Sequence, residues 1–117
     1  MLVEAGHRMA VYDPFFEPDA RALDRTYDFI TCSETAEHFH DPAAEFRRLN
    51  AMLRPGGWLA VMTSFQPDGG KLANWRYLRD PTHVVLYCEE TLRWIAARHD
   101  WSCTFPVRDI ALMQRSA

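Results

Sequence analysis

Three ionisable residues fall within four positions in the string EHFH: Glu37, His38 and His40. A further histidine, His83, follows Asp80-Pro81-Thr82. Imidazole titrates near neutral pH, so His38 or His83 can take a proton from an acceptor group, and Glu37 can orient or share it. His83 is the best single candidate for that base. Alternating histidines can also begin a metal site, but no clear third ligand accompanies His38 and His40, and zinc sites need three or four. The plainer role of EHFH is helix capping and loop hydrogen bonding. Just before His83, Trp75, Tyr77 and Asp80 bring aromatic and acidic groups together. That mixture suits a lid or an acceptor-binding loop. The alternative is a packed surface loop with Asp80-Pro81 as its turn.

The flanking elements must position these groups. YDFITCS (27–33) is rich in β-branched and aromatic residues and reads as a buried strand. Asp41 is a good N-cap with Pro42 at the first helical position, so a helix runs from Pro42 to about Leu53. Phe46, Leu49 and Leu53 share one face of it. Pro55-Gly56-Gly57 stops the helix and turns the chain into a strand, WLAVMT (58–63). HVVLY (83–87) looks extended. EETLRWIAARH (89–99) is a helix with acids in its first turn, Arg98 and His99 in its last, and Leu92, Ile95 and Ala96 facing inward. WSCTFPV and IALMQR close the chain as a hairpin turning at Arg108-Asp109, with Pro106 favouring an edge. Upstream, RMAVY (8–12) is a short strand after a helix end at Gly6. Residues 13–26 form a loop with one helical turn, and KLANWRYL can form a short helix within a second loop, 64–82. Trp58, Trp94 and Trp101 are expected in the core or on a sheet face, and Arg47 and Arg48 on a solvated helix face. A strand–helix–strand order implies a parallel sheet.

Composition narrows the function classes. The 117 residues make one domain at most, and 48% hydrophobic with 25% charged residues is a globular composition. A net charge of −3 provides no basic field, so nucleic acid is not expected as a partner. Three cysteines without a CxxC pair argue for a reducing, cytoplasmic setting. No apolar run approaches the roughly 18 residues of a membrane span, and the first residues do not read as a signal peptide.

Four strings in order carry a family resemblance: AGHRMAVYDP, YDFITCSETAEHFHDP, LRPGGWLAVMT and NWRYLRDPTHVVLYCEETL. Together they resemble a class I S-adenosylmethionine-dependent methyltransferase of the type 11/23, ubiquinone-biosynthesis-like subgroup. The resemblance implies an α/β, Rossmann-like methyltransferase sheet, mostly parallel with a C-terminal antiparallel hairpin strand. It implies S-adenosylmethionine as cofactor and a small-molecule acceptor. Asp13 would accept the ribose hydroxyls, and the backbone of Cys32, Ser33 and Glu34 would line the methionine part. Cys32 itself reads as a small buried residue, since no cation or base pairs with it.

Two departures from the family pattern set further expectations. No GxGxG string occurs in residues 1–117, and too few residues separate Asp13 from Tyr27 for the family's usual extra helix and strand. The chain therefore reads as a partial class I methyltransferase domain, N-terminally incomplete. Exposed sheet edges would then favour a homodimer by strand exchange, or low stability. The alternatives are a non-catalytic methyltransferase-like chain that needs a partner segment, and a small metal protein built on His38, His40 and His83.

Overall fold

The computed structural model describes residue 10, residues 20–66 and residues 81–117. The strand expected at 8–12, the helix end at Gly6 and most of the 64–82 loop lie outside the described residues. A 3-10 turn, Ala20–Asp24, leads into strand β1, Tyr27–Ser33. A second 3-10 turn, Ala36–His38, connects to helix α1, Pro42–Met52. Strand β2 spans Leu53–Met62, helix α2 Glu89–Arg98, strand β3 Trp101–Thr104 and strand β4 Ile110–Arg115.

The four strands form one sheet in the order β1-β2-β4-β3. β1 and β2 are parallel, joined through α1, while β4 is antiparallel to both β2 and β3. The described part of the sheet is thus mixed, with the antiparallel C-terminal hairpin beside the parallel pair. The closing hairpin turns at Arg108-Asp109 as expected, and β3 lies at an edge of the described sheet. HVVLY does not form a strand. Its contribution to pairing is one isolated parallel bridge, Tyr87 to Phe65.

α1 begins where its caps dictate. Asp41 Oδ1 accepts the Ala44 N–H at 3.2 Å, and Pro42 occupies the first turn. It ends at Met52, and Leu53 N–H closes the last turn onto Leu49 and Asn50 carbonyls. Leu53 is already paired with Tyr27 of β1. The Pro-Gly-Gly turn is therefore not a gap between helix and strand but a bulge inside β2. The next pairing is Phe29 with Trp58, so residues 54–57 together oppose Asp28 alone. The Arg54 guanidinium reaches across to Asp28 at 3.0 Å. The bulge needs both glycines for different reasons. Gly56 has φ +79 in open space, whereas a Cβ on Gly57 would lie 2.8 Å from the Arg54 carbonyl oxygen and 3.1 Å from that of Asp28.

One hydrophobic cluster unites the helices and the sheet. Phe46 and Leu49 of α1 and Leu92, Ile95 and Ala96 of α2 pack with Leu59 and Val61 of β2 and Ala111 and Met113 of β4. Each large side chain removed from water there contributes about 1.5–3 kcal/mol. The alternate positions Trp58, Ala60 and Met62 pair with Gln114, Leu112 and Ile110 on the other face, which is half-buried. Of the three tryptophans expected in the core or on a sheet face, Trp101 is buried, with its indole N–H on Asn50. Trp58 is 42% exposed on the second face, and Trp94 is 61% exposed with the Arg98 guanidinium over its ring. Trp94 sits outside the Leu92–Ile95–Ala96 stripe, so helical geometry turns it to solvent.

The two glycines predict unequal costs. Gly56→Ala places an L-residue in the left-handed region with no clash and is expected to cost about 1–2 kcal/mol. Gly57→Ala must push two backbone carbonyls apart and is expected to cost more, about 3 kcal/mol. Urea unfolding of both variants checks the order.

Candidate active site

β1 delivers the chain to the carboxyl end of the parallel pair, where open α/β sheets bind ligands. Its last partner is Ser33 with Met62, and Glu34 N–H then bonds the Met62 carbonyl at 2.7 Å. Glu34 has φ 51, a left-handed conformation that costs a non-glycine residue about 1–2 kcal/mol. Such strain concentrates at functional sites. The reversal at Glu34 directs the following 3-10 turn back under the strand ends, where Ala36 and Glu37 are fully buried.

Glu37 joins three segments there. Its Oε2 accepts the Thr63 hydroxyl at 2.8 Å, just past the end of β2. Its main-chain carbonyl accepts the N–H groups of Val84 and Val85 at 2.9 and 3.2 Å. A buried carboxylate is costly unless hydrogen-bonded, which fixes Thr63, and the two amides on the main-chain carbonyl fix the 82–85 segment. Neighbouring bonds extend it. Tyr87 donates its hydroxyl to the Ala36 carbonyl at 2.9 Å, and Gln66 N–H bonds Tyr87 O at 2.7 Å. Asp109, in the β3–β4 turn, accepts Thr63 N–H on its carbonyl at 3.2 Å and Phe65 N–H on its carboxylate at 2.9 Å.

The anchored 82–85 segment brings the two histidines together. The rings of His38 and His83 meet edge to face with centroids 5.0 Å apart. His38 Nδ1 lies 2.8 Å from the Thr82 carbonyl oxygen. A carbonyl only accepts, so Nδ1 carries the proton and Nε2 is the basic nitrogen of neutral His38.

Charge shapes the neighbourhood. The Glu34 carboxyl is held above its ordinary range, first by lost hydration and then by its hydrogen bond to Glu37 and the Glu37 charge. The Asp109 charge adds to the rise, and His83 opposes it. Burial pushes the Cys32 thiol up to about 11, with Glu45 and Glu37 adding to the rise. Cys32 is thus a packed, unreactive thiol. Burial, then the Glu37 and Cys32 charges, also raise the Tyr87 phenol.

A groove of about 1350 Å³ runs along β1 and reaches this end. Cys32, Glu34, Thr35, His38, His40 and Thr82 are among its lining residues. It exceeds the several hundred Å³ that small-molecule sites require. At the strand end Glu34 presents its carboxyl to the groove, beside the turn of backbone that follows Ser33.

The structure therefore assembles Cys32, Ser33, Glu34, Glu37, His38 and His83 at one end of the sheet. His83 packs against His38 and is not among the groove-lining residues. Asp13, Trp75, Tyr77 and Asp80 lie outside the described residues. Among the described residues, no group of three or more His, Cys, Asp or Glu is placed to hold a metal ion. No described helix is long and apolar enough to cross a membrane. Sequence reasoning missed Thr63, Tyr87 and Asp109. Thr63 ends the WLAVMT run, where a hydroxyl at a strand terminus is a recognisable signal; Asp109 looks like an ordinary turn residue.

An α/β domain with its polar groups gathered where parallel strands end belongs to the class of Rossmann-like folds. An O-methyltransferase family protein from Burkholderia thailandensis has this fold, with a TM-score of 0.63 at 17% identity over 85% of this chain and 33% of that one. A family model described as a methyltransferase domain matches residues 2–104, and the chain belongs to that family. Ubiquinone biosynthesis O-methyltransferase of Nitrosomonas europaea is 26% identical over 99% of this chain and 46% of its own length. The uncharacterized protein YafE of Escherichia coli is 35% identical over 55% of this chain and 33% of its own. The Nitrosospira multiformis ubiquinone biosynthesis O-methyltransferase is 32% identical over 53% and 26%. The chain thus spans less than half the length of these curated relatives.

Two predictions test this electrostatic picture. A carboxyl with a raised folded pKa contributes stability below its unfolded value of about 4.5, and that contribution is lost as pH rises through the folded value. Glu34→Gln is therefore expected to raise the melting temperature near pH 7 by on the order of a degree or two, and to lose that advantage near pH 4. Calorimetry at both pH values checks the sign. Separately, iodoacetamide at mildly alkaline pH is expected to label the half-buried Cys88 well before Cys32, read by peptide mass mapping.

Proposed function

We propose that this chain's site serves S-adenosylmethionine-dependent methyl transfer to a small-molecule acceptor. The observation that carries the reading is the His38–His83 pair held beside Glu34 at the carboxyl end of the parallel strands. When bound, S-adenosylmethionine supplies a methyl group on a positive sulfur, with a neutral thioether as leaving group. Cys32, Ser33 and Glu34 hold its methionine part, with the Glu34 carboxylate facing the ammonium. Asp13 takes the ribose hydroxyls. Trp75, Tyr77 and Asp80 belong to the acceptor side, and the walls of the groove exclude water.

The acceptor's proton must go to a base, and the groove favours His38 Nε2 for this over the sequence-preferred His83. The Thr82 carbonyl fixes the His38 tautomer, and His83 supports the ring from the side. Glu37 holds both in place without touching the acceptor. Such alignment is the protein's main contribution to an in-line displacement.

Calorimetric titration with S-adenosylmethionine and with its demethylated product tests this reading. Methyl transfer by this chain predicts dissociation constants on the order of 10 μM for both. No heat at millimolar ligand would contradict it.

A further inference from the structure

We infer that Asp109 is a positioning residue of this site: through Thr63 and Phe65 it sets where Glu37 and the His83 segment lie. Its role presupposes the methyl-transfer site proposed above. Asp109 lies in the turn between β3 and β4, distant in sequence from every residue of that site. It nonetheless grips the chain just past β2 at two points. Its carbonyl accepts Thr63 N–H at 3.2 Å, and its carboxylate accepts Phe65 N–H at 2.9 Å.

Those two residues lead directly to the site. Thr63 donates its hydroxyl to Glu37 Oε2 at 2.8 Å. Phe65 bridges Tyr87, and Gln66 N–H bonds the Tyr87 carbonyl. Tyr87 returns to the Ala36 carbonyl, while Val84 and Val85 return to Glu37 O. The bonds thus close a ring: Asp109, Thr63 and Phe65, Tyr87, the 82–85 segment and Glu37. His83 sits on that ring, 5.0 Å from His38.

The conformation of Asp109 points the same way. Its φ of 66 is left-handed, a conformation glycine adopts without strain. A plain hairpin turn would gain from glycine here, but glycine has no carboxylate for Phe65. Aspartate tolerates this region better than most residues and supplies the acceptor. Arg108 is loosely placed against it at 3.8 Å and is mostly exposed, so the carboxylate's firm partner is the Phe65 amide.

Three variants separate positioning from plain turn formation. Asp109→Gly keeps the turn and removes the carboxylate. Asp109→Asn keeps an acceptor oxygen, and Arg108→Ala alters the turn and removes the loose ion pair while leaving the carboxylate to Phe65. The readouts are the ring resonances of His38 and His83 by histidine-labelled NMR, and the dissociation constant for S-adenosylmethionine. Asp109→Gly is expected to shift both sets of ring resonances and to weaken binding roughly tenfold, the loss of about one hydrogen bond. Asp109→Asn is expected to restore both, and Arg108→Ala to change neither. A folded Asp109→Gly protein with unmoved histidine resonances overturns the inference. If that variant does not fold, hydrogen exchange of the wild type decides. Protection of the Phe65 amide matching that of Val84 and Val85 supports the ring, and open-loop exchange at Phe65 overturns it. If the wild type binds no S-adenosylmethionine, the methyl-transfer reading fails, while the resonances still report on Asp109.

Discussion

The site depends on the burial of one glutamate. Glu37 has no exposed surface, and a carboxylate there must be compensated by hydrogen bonds. The Thr63 hydroxyl meets its side chain, and its main-chain carbonyl takes two amides from the 82–85 segment. Two stretches distant in sequence are thereby tied to one residue. The histidine pair follows from that tie, because His38 is the next residue and His83 precedes Val84.

The opposite end of the sheet is fixed by β4 and the residues after it. The Arg115 guanidinium bonds the carbonyls of Asn50 and Leu53 where α1 runs into β2, supplying acceptors' partners at a helix end. Gln114 donates to the Gly56 carbonyl, and Gly56 N–H bonds Ser116 O. The bulge in β2 is therefore stitched from the C-terminal strand. β4 thus serves both ends: Asp109 at its start reaches the candidate site, and residues 114–116 at its far end hold the bulge.

Local signals made most of the fold legible. Residues 27–33 are a strand, Asp41-Pro42 starts a helix, and Leu92, Ile95 and Ala96 turn inward, all as pattern and capping chemistry dictate. The Pro-Gly-Gly turn looks like a helix stop in the sequence because pairing is not local. Nothing in Leu53 shows that Tyr27 will pair with it before the bulge. The site was legible as a set of residue types, not as contacts. EHFH identified Glu37 and His38, yet the link through Thr63 and Asp109 arises only when β2 and β4 pair. Trp94 shows a further limit, since its size suggests burial while its place on α2 turns it outward.

The central claim is that Glu37 anchors the 82–85 segment so that His83 lies against His38. The most direct test is a nuclear Overhauser measurement between the two imidazole rings in selectively labelled protein. With centroids 5.0 Å apart, cross-peaks between the ring protons of His38 and His83 are predicted. Cross-peaks missing from a folded sample with assigned resonances would contradict the account.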